Sequence, residues 1–325
     1  MKITHWALKN GSGLAQVAED LSVCEKQAGI ESIVCDALNP NDVKMGMNAD
    51  LHVAHAHIPS EIAVRHTKPW ITVAHGAPEY VMETMATEDG LNQKGNSFAA
   101  GWMMMQQADA VVSFWDRHIK MYLNWTDKPI YKINMGVPLG FWQKESVATK
   151  QPGTPAFLTC ENSVRSKWIL DLLLLFPWLL EDFPDAALNC YYVPMMQHKM
   201  FYPILYATKA VRGVYISSQK LNKQLLLQTL RGSDYYLNLC RYGDFNQMGM
   251  QAKAAGCKVI SYRGNPYADY WITEGDQRDM AIQLLAIMKG WTQPRNNVEP
   301  IPDTKDMVNG MLRVYQEVLK RFPTS

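Results

Sequence analysis

Short apolar runs alternate with amphipathic stretches along most of the chain. "KITHWAL" reads as a strand and runs through "KNGSG" into an amphipathic helix, "LAQVAEDLSVCEKQAG". Strands follow at "IESIVCDA", "ADLHVAHAHIP" and "KPWITVAHGAP". The stretch "SFAAGWMMMQQA" has a helical pattern, "ADAVVSFW" reads as a strand, "DRHIKMYLNW" as a helix and "KPIYKINMGVP" as a strand. This βαβα order predicts a parallel sheet with helices on both faces. The polar segment "FWQKESVATKQPGTPA" breaks the pattern, and a boundary is expected near residues 143–154. The alternation then restarts with "AFLTC", a helix from near Lys167, "AALNCYYV", a helix near "FYPILYATKA", "GVYIS", "NKQLLLQTLRG" and "SDYYLNLC". An amphipathic segment, "DTKDMVNGMLRVYQEVLKRF", closes the chain. The expected fold class is therefore α/β, two doubly wound Rossmann-like halves.

Composition narrows the function only slightly. A length of 325 residues suits two domains of about 150 residues each. The formal net charge of +1 gives no global field toward nucleic acid or an anionic membrane. Six cysteines are scattered without a CxxC pair, which points to reduced thiols and away from a structural zinc. The N-terminus lacks a signal-peptide pattern, and "WILDLLLLFPWLL" is too short and too interrupted to span a bilayer. A cytoplasmic protein with no membrane span is expected.

Parallel sheets bind ligands at the carboxyl ends of their strands, so the loops there are where chemistry is expected. In the first, Gly11, Ser12 and Gly13 precede a helix whose first N–H groups suit an anion; a plain strand-to-helix turn is the alternative. In "HVAHAHIP", His55 and His57 are expected to share one face at a strand's end. They read as hydrogen-bonded histidines before they read as zinc ligands, because no third ligand is evident. His75 lies at the end of the next strand beside Gly76, placed to donate a hydrogen bond or carry a proton. Arg165 and Lys167 follow a strand in "TCENSVRSKW" and can hold a diphosphate or form a solvated charge pair. Last, "CRYGDFNQMGMQAKAAG" opens a helix at Asp244–Gln247, where N–H groups can bind phosphate and the Gln251 amide can both donate to and accept from a ribose. Here the alternative is a helix simply capped by Asp244.

Together, and in order, these stretches resemble the GT-B glycosyltransferases of retaining glycosyltransferase family 4. "DLHVAHAH", "ITVAHGAPEY", "ADAVVSFWDRHIKMYL", "INMGVPLGFW", "KWILDLLLLFPWLLEDFPDAAL" and "CRYGDFNQMGMQAKAAGCKVISYRGNP" carry the resemblance over nearly the whole chain. It implies two Rossmann-like domains facing across a cleft: an acceptor domain at 1–145, a nucleotide-sugar domain at 146–300, and a C-terminal helix at 301–325 packing back toward the first. By resemblance His75, Lys167 and Asp244 are the catalytic candidates. The donor-side candidates are Gly11, Ser12, Gly13, Asn162, Arg165, Lys167, Tyr242, Phe245, Asn246, Gln247 and Gln251, and the acceptor-side ones are His55, His57, Glu79 and Tyr80. The family's glutamate pair falls at Gly243 and Gln251, so the role of the first passes to Asp244 or is lost. No D-x-D triplet occurs, which agrees with a reaction needing no metal and no cofactor beyond the nucleotide-sugar.

The implied function is retaining transfer of a hexosyl or pentosyl group to a hydroxyl acceptor. Acceptor candidates are a saccharide and a hydroxymethylated base in phage DNA. For the DNA version, Lys44, Arg65, His66, Lys68, Lys94, Trp102, Arg117 and Lys120 are the side chains a nucleic-acid face can use. The competing class is a catalytically inactive GT-B protein that only binds a nucleotide or sugar.

Overall fold

The computed structural model of the protein describes residues 1–9, 13–65, 68–75, 97–144, 155–160, 169–191, 211–239 and 247–322. It divides into two units, Met1–Pro138 with Pro302–Ser325, and Leu139–Ile301.

In the first unit, six parallel strands are β1 (Lys2–Ala7), β2 (Glu31–Asp36), β3 (Leu51–Ala54), β4 (Trp70–Ala74), β5 (Ala110–Ser113) and β6 (Ile130–Lys132). Their order is β2-β1-β3-β4-β5-β6. Helices α1 (Gly13–Gln27), α2 (Pro40–Gly46), α3 (Ser60–Arg65), α4 (Ser97–Gln107) and α5 (Asp116–Tyr122) connect them. The central strands "LHVA", "WITVA" and "AVVS" are buried throughout, as expected of parallel strands covered on both faces. Buried polar side chains on β1 are hydrogen-bonded: the Thr4 hydroxyl donates to the Gly46 carbonyl at 3.0 Å.

The unit is completed by the last helix, labelled α11 (Thr304–Leu319) because five described helices of the second unit intervene. A capping box of Asp303 and Asp306 starts it. Met307, Met311, Val314, Tyr315 and Val318 make its buried stripe, and it packs on α1. The chain leaves and re-enters this unit side by side: Val137 donates to Pro302 and accepts from Thr304, each at 3.1 Å. A Cβ at Gly136 would stand 2.3 Å from the Asp303 carbonyl oxygen and 2.9 Å from the Thr304 nitrogen. Backbone cannot yield as a side chain can, so Gly136→Ala is expected to cost about 1–3 kcal/mol by overpacking. A lowered urea midpoint with unchanged slope would show it; an unchanged midpoint would mean that the crossing is slack.

The second unit begins with a short helix, α6 (Leu139–Trp142), and carries β7 (Ala156–Thr159), α7 (Ile169–Asp182), β8 (Ala187–Cys190), β9 (Val214–Ile216), α8 (Lys223–Arg231), β10 (Tyr235–Asn238), α9 (Gln247–Ala254), β11 (Lys258–Tyr262), β12 (Tyr270–Ile272) and α10 (Gln277–Met288). The strand order, β9-β8-β7-β10-β11-β12, is that of a dinucleotide-binding Rossmann sheet. Its core sets Leu172, Phe176 and Leu179 of α7 and Leu284 and Ile287 of α10 against Phe157, Leu188, Leu237 and Ile260. Helix α7 runs through Pro177, whose missing N–H forfeits one helical bond while the apolar stripe on either side keeps the helix docked. Trp142 of α6 is fully buried, and α6 packs on α9, so "FWQK" joins this unit; the remaining residues of the expected linker, 145–154, lie outside the described ones.

Candidate functional site

Strands β1, β3 and β4 are neighbours, and each delivers a histidine: His5 within β1, His55 just after β3 and His75 just after β4. The three rings are hydrogen-bonded in a row. His5 Nδ1 lies 3.0 Å from His55 Nε2, and His55 Nδ1 lies 2.8 Å from His75 Nε2. His5 Nε2 is 2.8 Å from Glu25 Oε2, and the Tyr315 hydroxyl donates to Glu25 Oε1 at 2.8 Å. A continuous polar thread thus runs from α11 through α1 and β1 to the carboxyl end of β4, where the His75 ring meets Phe114 at 5.5 Å between centroids.

Glu25, His5, His55 and Tyr315 are all at 0% exposure. Burial by itself would raise the Glu25 carboxyl, but the His5 ring and the hydrogen bonds from His5 and Tyr315 outweigh it and hold the group below its usual value. Burial, reinforced by the Glu25 charge, keeps the Tyr315 phenol protonated far above its usual range. Burial also pushes His55 well below an ordinary histidine and His75 down to about 3. Both rings are neutral near pH 7. Their nitrogens point at one another and not at a common centre, and among the described residues no cluster of three metal-ligating groups occurs.

The expectation that His55 and His57 share one strand face is not met. Strand β3 ends at Ala54, and Ala56 adopts φ 67°, a left-handed conformation that is costly for a residue with a Cβ. The kink breaks the alternation. His55 turns inward, with both ring nitrogens engaged by His5 and His75. His57 stays half-buried, lowered by burial against the opposing pull of Asp36. Glu79 and Tyr80 lie outside the described residues.

In the second unit, the strand order reverses between β7 and β10, the place where Rossmann sheets take ligands. Buried polar atoms collect on the elements beside it. Among the described residues the Thr159 hydroxyl, which ends β7, has no hydrogen-bond partner; neither has either amide atom of Asn238, which ends β10, nor Gln251 Oε1 in α9. Thr159 and Asn238 are at 0% exposure and Gln251 at 3%. Each such atom costs about 1–3 kcal/mol unless a polar group meets it. Asn238 shares its register position with Ser261 on β11, so both side chains leave the same face, and α9 packs on β10 and β11. Gln247, the first residue of α9, is buried.

Asn162, Arg165 and Lys167 follow β7, and Tyr242, Asp244, Phe245 and Asn246 follow β10; all lie outside the described residues, as do Gly11 and Ser12. Gly13 is the exposed first residue of α1, and a Cβ there would meet nothing within 4 Å. Sequence reasoning missed His5, Glu25, Tyr315, Thr159 and Asn238. One signal was available: Glu25 continues the series Ala18, Leu21, Ser22 along the buried stripe of α1, where a charge needs a partner.

No family model matches the chain, and no curated protein matches it. Solved structures do. A sucrose-phosphate synthase from Thermosynechococcus elongatus is 12% identical with a TM-score of 0.76, the match covering 99% of this chain and 100% of that one. HepE of Anabaena, solved in complex with UDP and glucose, is 11% identical with a TM-score of 0.69 over 97% and 99% of the two chains. An alpha-glucosyltransferase, solved with UDP and a 13-mer DNA containing a central A:G mismatch, is 9% identical with a TM-score of 0.65 over 97% and 100%. The fold is therefore that of the GT-B glycosyltransferases. Among the described residues no helix is long and apolar enough to cross a membrane.

Proposed function

We propose that the protein transfers a sugar from a nucleotide-sugar donor to a hydroxyl acceptor, with retention of configuration and without a metal ion. The observation that carries this reading is the set of unpartnered buried atoms of Thr159, Asn238 and Gln251 about the strand-order switch of the second unit. An amide that can donate and accept suits the paired hydroxyls of a ribose, and Gln251 takes that role. Lys167 and the amino end of α9 meet the diphosphate and stabilise the charge that develops as it leaves. Arg165, Asn162, Tyr242 and the segment Asp244–Asn246 complete the donor side, with Asp244 toward the sugar. His75 takes the role of the residue that touches the transferred sugar. The solved structures of the same fold that hold UDP or UDP with a sugar agree with this choice of ligand.

A thermal-shift panel of UDP, GDP, ADP, CMP and dTDP, run in EDTA, tests the proposal. One nucleoside diphosphate is expected to stabilise the protein by about 2.7 kcal/mol at a hundred times its Kd. Lys167→Ala and Gln251→Ala should each shrink that shift. If no nucleotide moves the transition, the donor site is absent and the reading falls. Nucleotide binding with no turnover of any sugar donor would instead identify a binding protein that has lost catalysis.

A further inference from the structure

We propose that the thread from Glu25 to His75 is a proton-coupled switch: one proton gained or lost by the thread turns His75 Nδ1 from hydrogen-bond acceptor to donor or back, and so decides which ligand groups bind at the end of β4. The coupling is a property of the folded chain; only its consequence for a ligand rests on the reading of His75 as a ligand contact.

Three contacts join the four groups: Glu25 Oε2 to His5 Nε2 at 2.8 Å, His5 Nδ1 to His55 Nε2 at 3.0 Å, and His55 Nδ1 to His75 Nε2 at 2.8 Å. Each contact this short holds one proton, because two lone pairs or two N–H groups set face to face repel. Every ring nitrogen of the thread is used in one contact except His75 Nδ1. Three protons therefore fill the contacts, and a fourth places a hydrogen on His75 Nδ1. With three, the carboxylate and the rings together carry one negative charge, and His75 Nδ1 is a lone pair. With four, the thread is neutral overall and His75 Nδ1 is a donor. The count is the same whether the fourth proton leaves His5 cationic beside Glu25 or neutralises the carboxylate itself. The proton belongs to the thread and not to one residue. Polarity at His75 and charge at the Glu25 end are thus one variable.

Conversion requires no ring to turn. A proton arriving at His75 Nδ1 lets the Nε2 proton of that ring cross to His55 Nδ1, and the Nε2 proton of His55 cross to His5 Nδ1. The added charge comes to rest on His5 against Glu25, and it is cancelled there if the Nε2 proton of His5 crosses to the carboxylate. His55 and His75 are neutral in both forms, as their burial requires. Glu25, His5 and His55 are fully enclosed, whereas His75 is partly exposed, so the proton is exchanged at the His75 end. Around the carboxylate, Tyr315 from α11 donates to Oε1, the Ser32 hydroxyl of β2 lies close by, and Cys24, next to it on α1, feels its charge. At the open end the His75 ring meets uncharged Phe114. A ligand hydroxyl that donates to His75 selects the form with three protons. A carbonyl, carboxylate or phosphate oxygen selects the form with four, and the thread gains that proton as pH falls.

Long-range ¹H–¹⁵N spectra of the histidine rings, recorded on the ligand-free full chain from pH 9 to pH 5, test it, with signals assigned by their loss in His55→Gln and His75→Gln. At high pH both rings are expected to show a protonated Nε2 and a pyridine-type Nδ1, and at low pH the reverse. The two should change at one shared midpoint, and neither should become an imidazolium. Glu25→Gln should lose the transition from this range, because an amide donates to His5 or accepts from it without taking up a proton. Tyr315→Phe keeps the carboxylate and should keep the transition, its midpoint moved to higher pH because the anion has lost a donor. His55 and His75 protonated on unlike nitrogens at any pH would overturn the proposal, as would tautomers unchanged from pH 9 to pH 5; neither result needs a variant to fold. The same transition in folded Glu25→Gln would overturn it as well. Failure of the nucleotide panel leaves these spectra unaffected, so the two readings fall separately.

Discussion

Lowering the pH from 7 to 5 is expected to weaken the folded state by about 5 kcal/mol. Three histidines are held neutral by burial: His52, pushed down to about 4; His75, pushed down to about 3; and His55, pushed well below its ordinary value. In the unfolded chain the same rings bind protons near pH 6.5. Below that pH the unfolded state carries more protons than the folded one, so stability declines as pH falls, and it goes on declining until the folded pKa values are reached. Each ring contributes about 1.4 kcal/mol per pH unit in that window. His57, partly buried as His75 is, acts in the same direction, with Asp36 pulling against its burial. Because all four rings belong to the first unit, and residues 139–301 contain one histidine, His198, the loss falls on the first unit. Urea unfolding followed by circular dichroism at pH 7, 6 and 5 measures the slope. His52→Asn keeps an acceptor for the Trp6 indole N–H, which donates to His52 Nδ1 at 3.2 Å, and should lower the slope by one proton. A flat response between pH 7 and 5 would show that the rings are hydrated in the folded state.

Glu25→Ala is expected to cost about 3 kcal/mol at pH 7, near the lower end for removing one member of a buried, hydrogen-bonded polar pair. The substitution strips the acceptor from both the Tyr315 hydroxyl and His5 Nε2, two groups with no water to turn to. It also removes a polar tie that links α1, β1 and α11, elements more than 290 residues apart at their extremes. Tyr315→Phe deletes a donor and leaves the carboxylate its bond to His5, so a loss of only about 1 kcal/mol follows. The two changes share a partner and will not add. The Glu25 contribution has its own pH sign. Its folded pKa lies below the unfolded one, so the stabilisation is present above the ordinary carboxylate pKa and is lost as pH falls through the folded value. The gap between the two proteins should therefore narrow in strong acid. A urea midpoint unchanged by Glu25→Ala would mean that water enters the thread.

Local pattern alone revealed a good deal. Alternation of buried strands and helical stripes indicated two α/β halves, because periodicity of 2 and 3.6 residues reports directly which faces each element must bury. It also placed His75 at the carboxyl end of β4, which stops at Ala74, and put the start of α9 within Asp244–Gln247, of which Gln247 is the first described residue. The order of the loops along the chain pointed to the GT-B fold. It passed over α10 altogether, although Met280, Ala281, Leu284 and Ile287 recur there at helical spacing. It read β3 on past Ala54 through His57, at least three residues too far, because nothing in "HVAHAHIP" announces the left-handed turn at Ala56.

Beyond Glu25 on the buried stripe of α1, the histidine thread had no such local signature. His5 sits mid-strand, Glu25 in the last turn of α1 and Tyr315 in the last helix. They meet only because β1 lies between β2 and β3, β4 follows β3, and α11 returns to α1 after the whole second unit has intervened. Likewise Thr159 and Asn238, 79 positions apart in sequence, end neighbouring strands only because the second sheet changes direction between β7 and β10. Hydrophobic periodicity determines which face of each element is covered. Which polar group another element brings to that face depends on strand order and helix return, and these are decided by packing among elements distant in the chain.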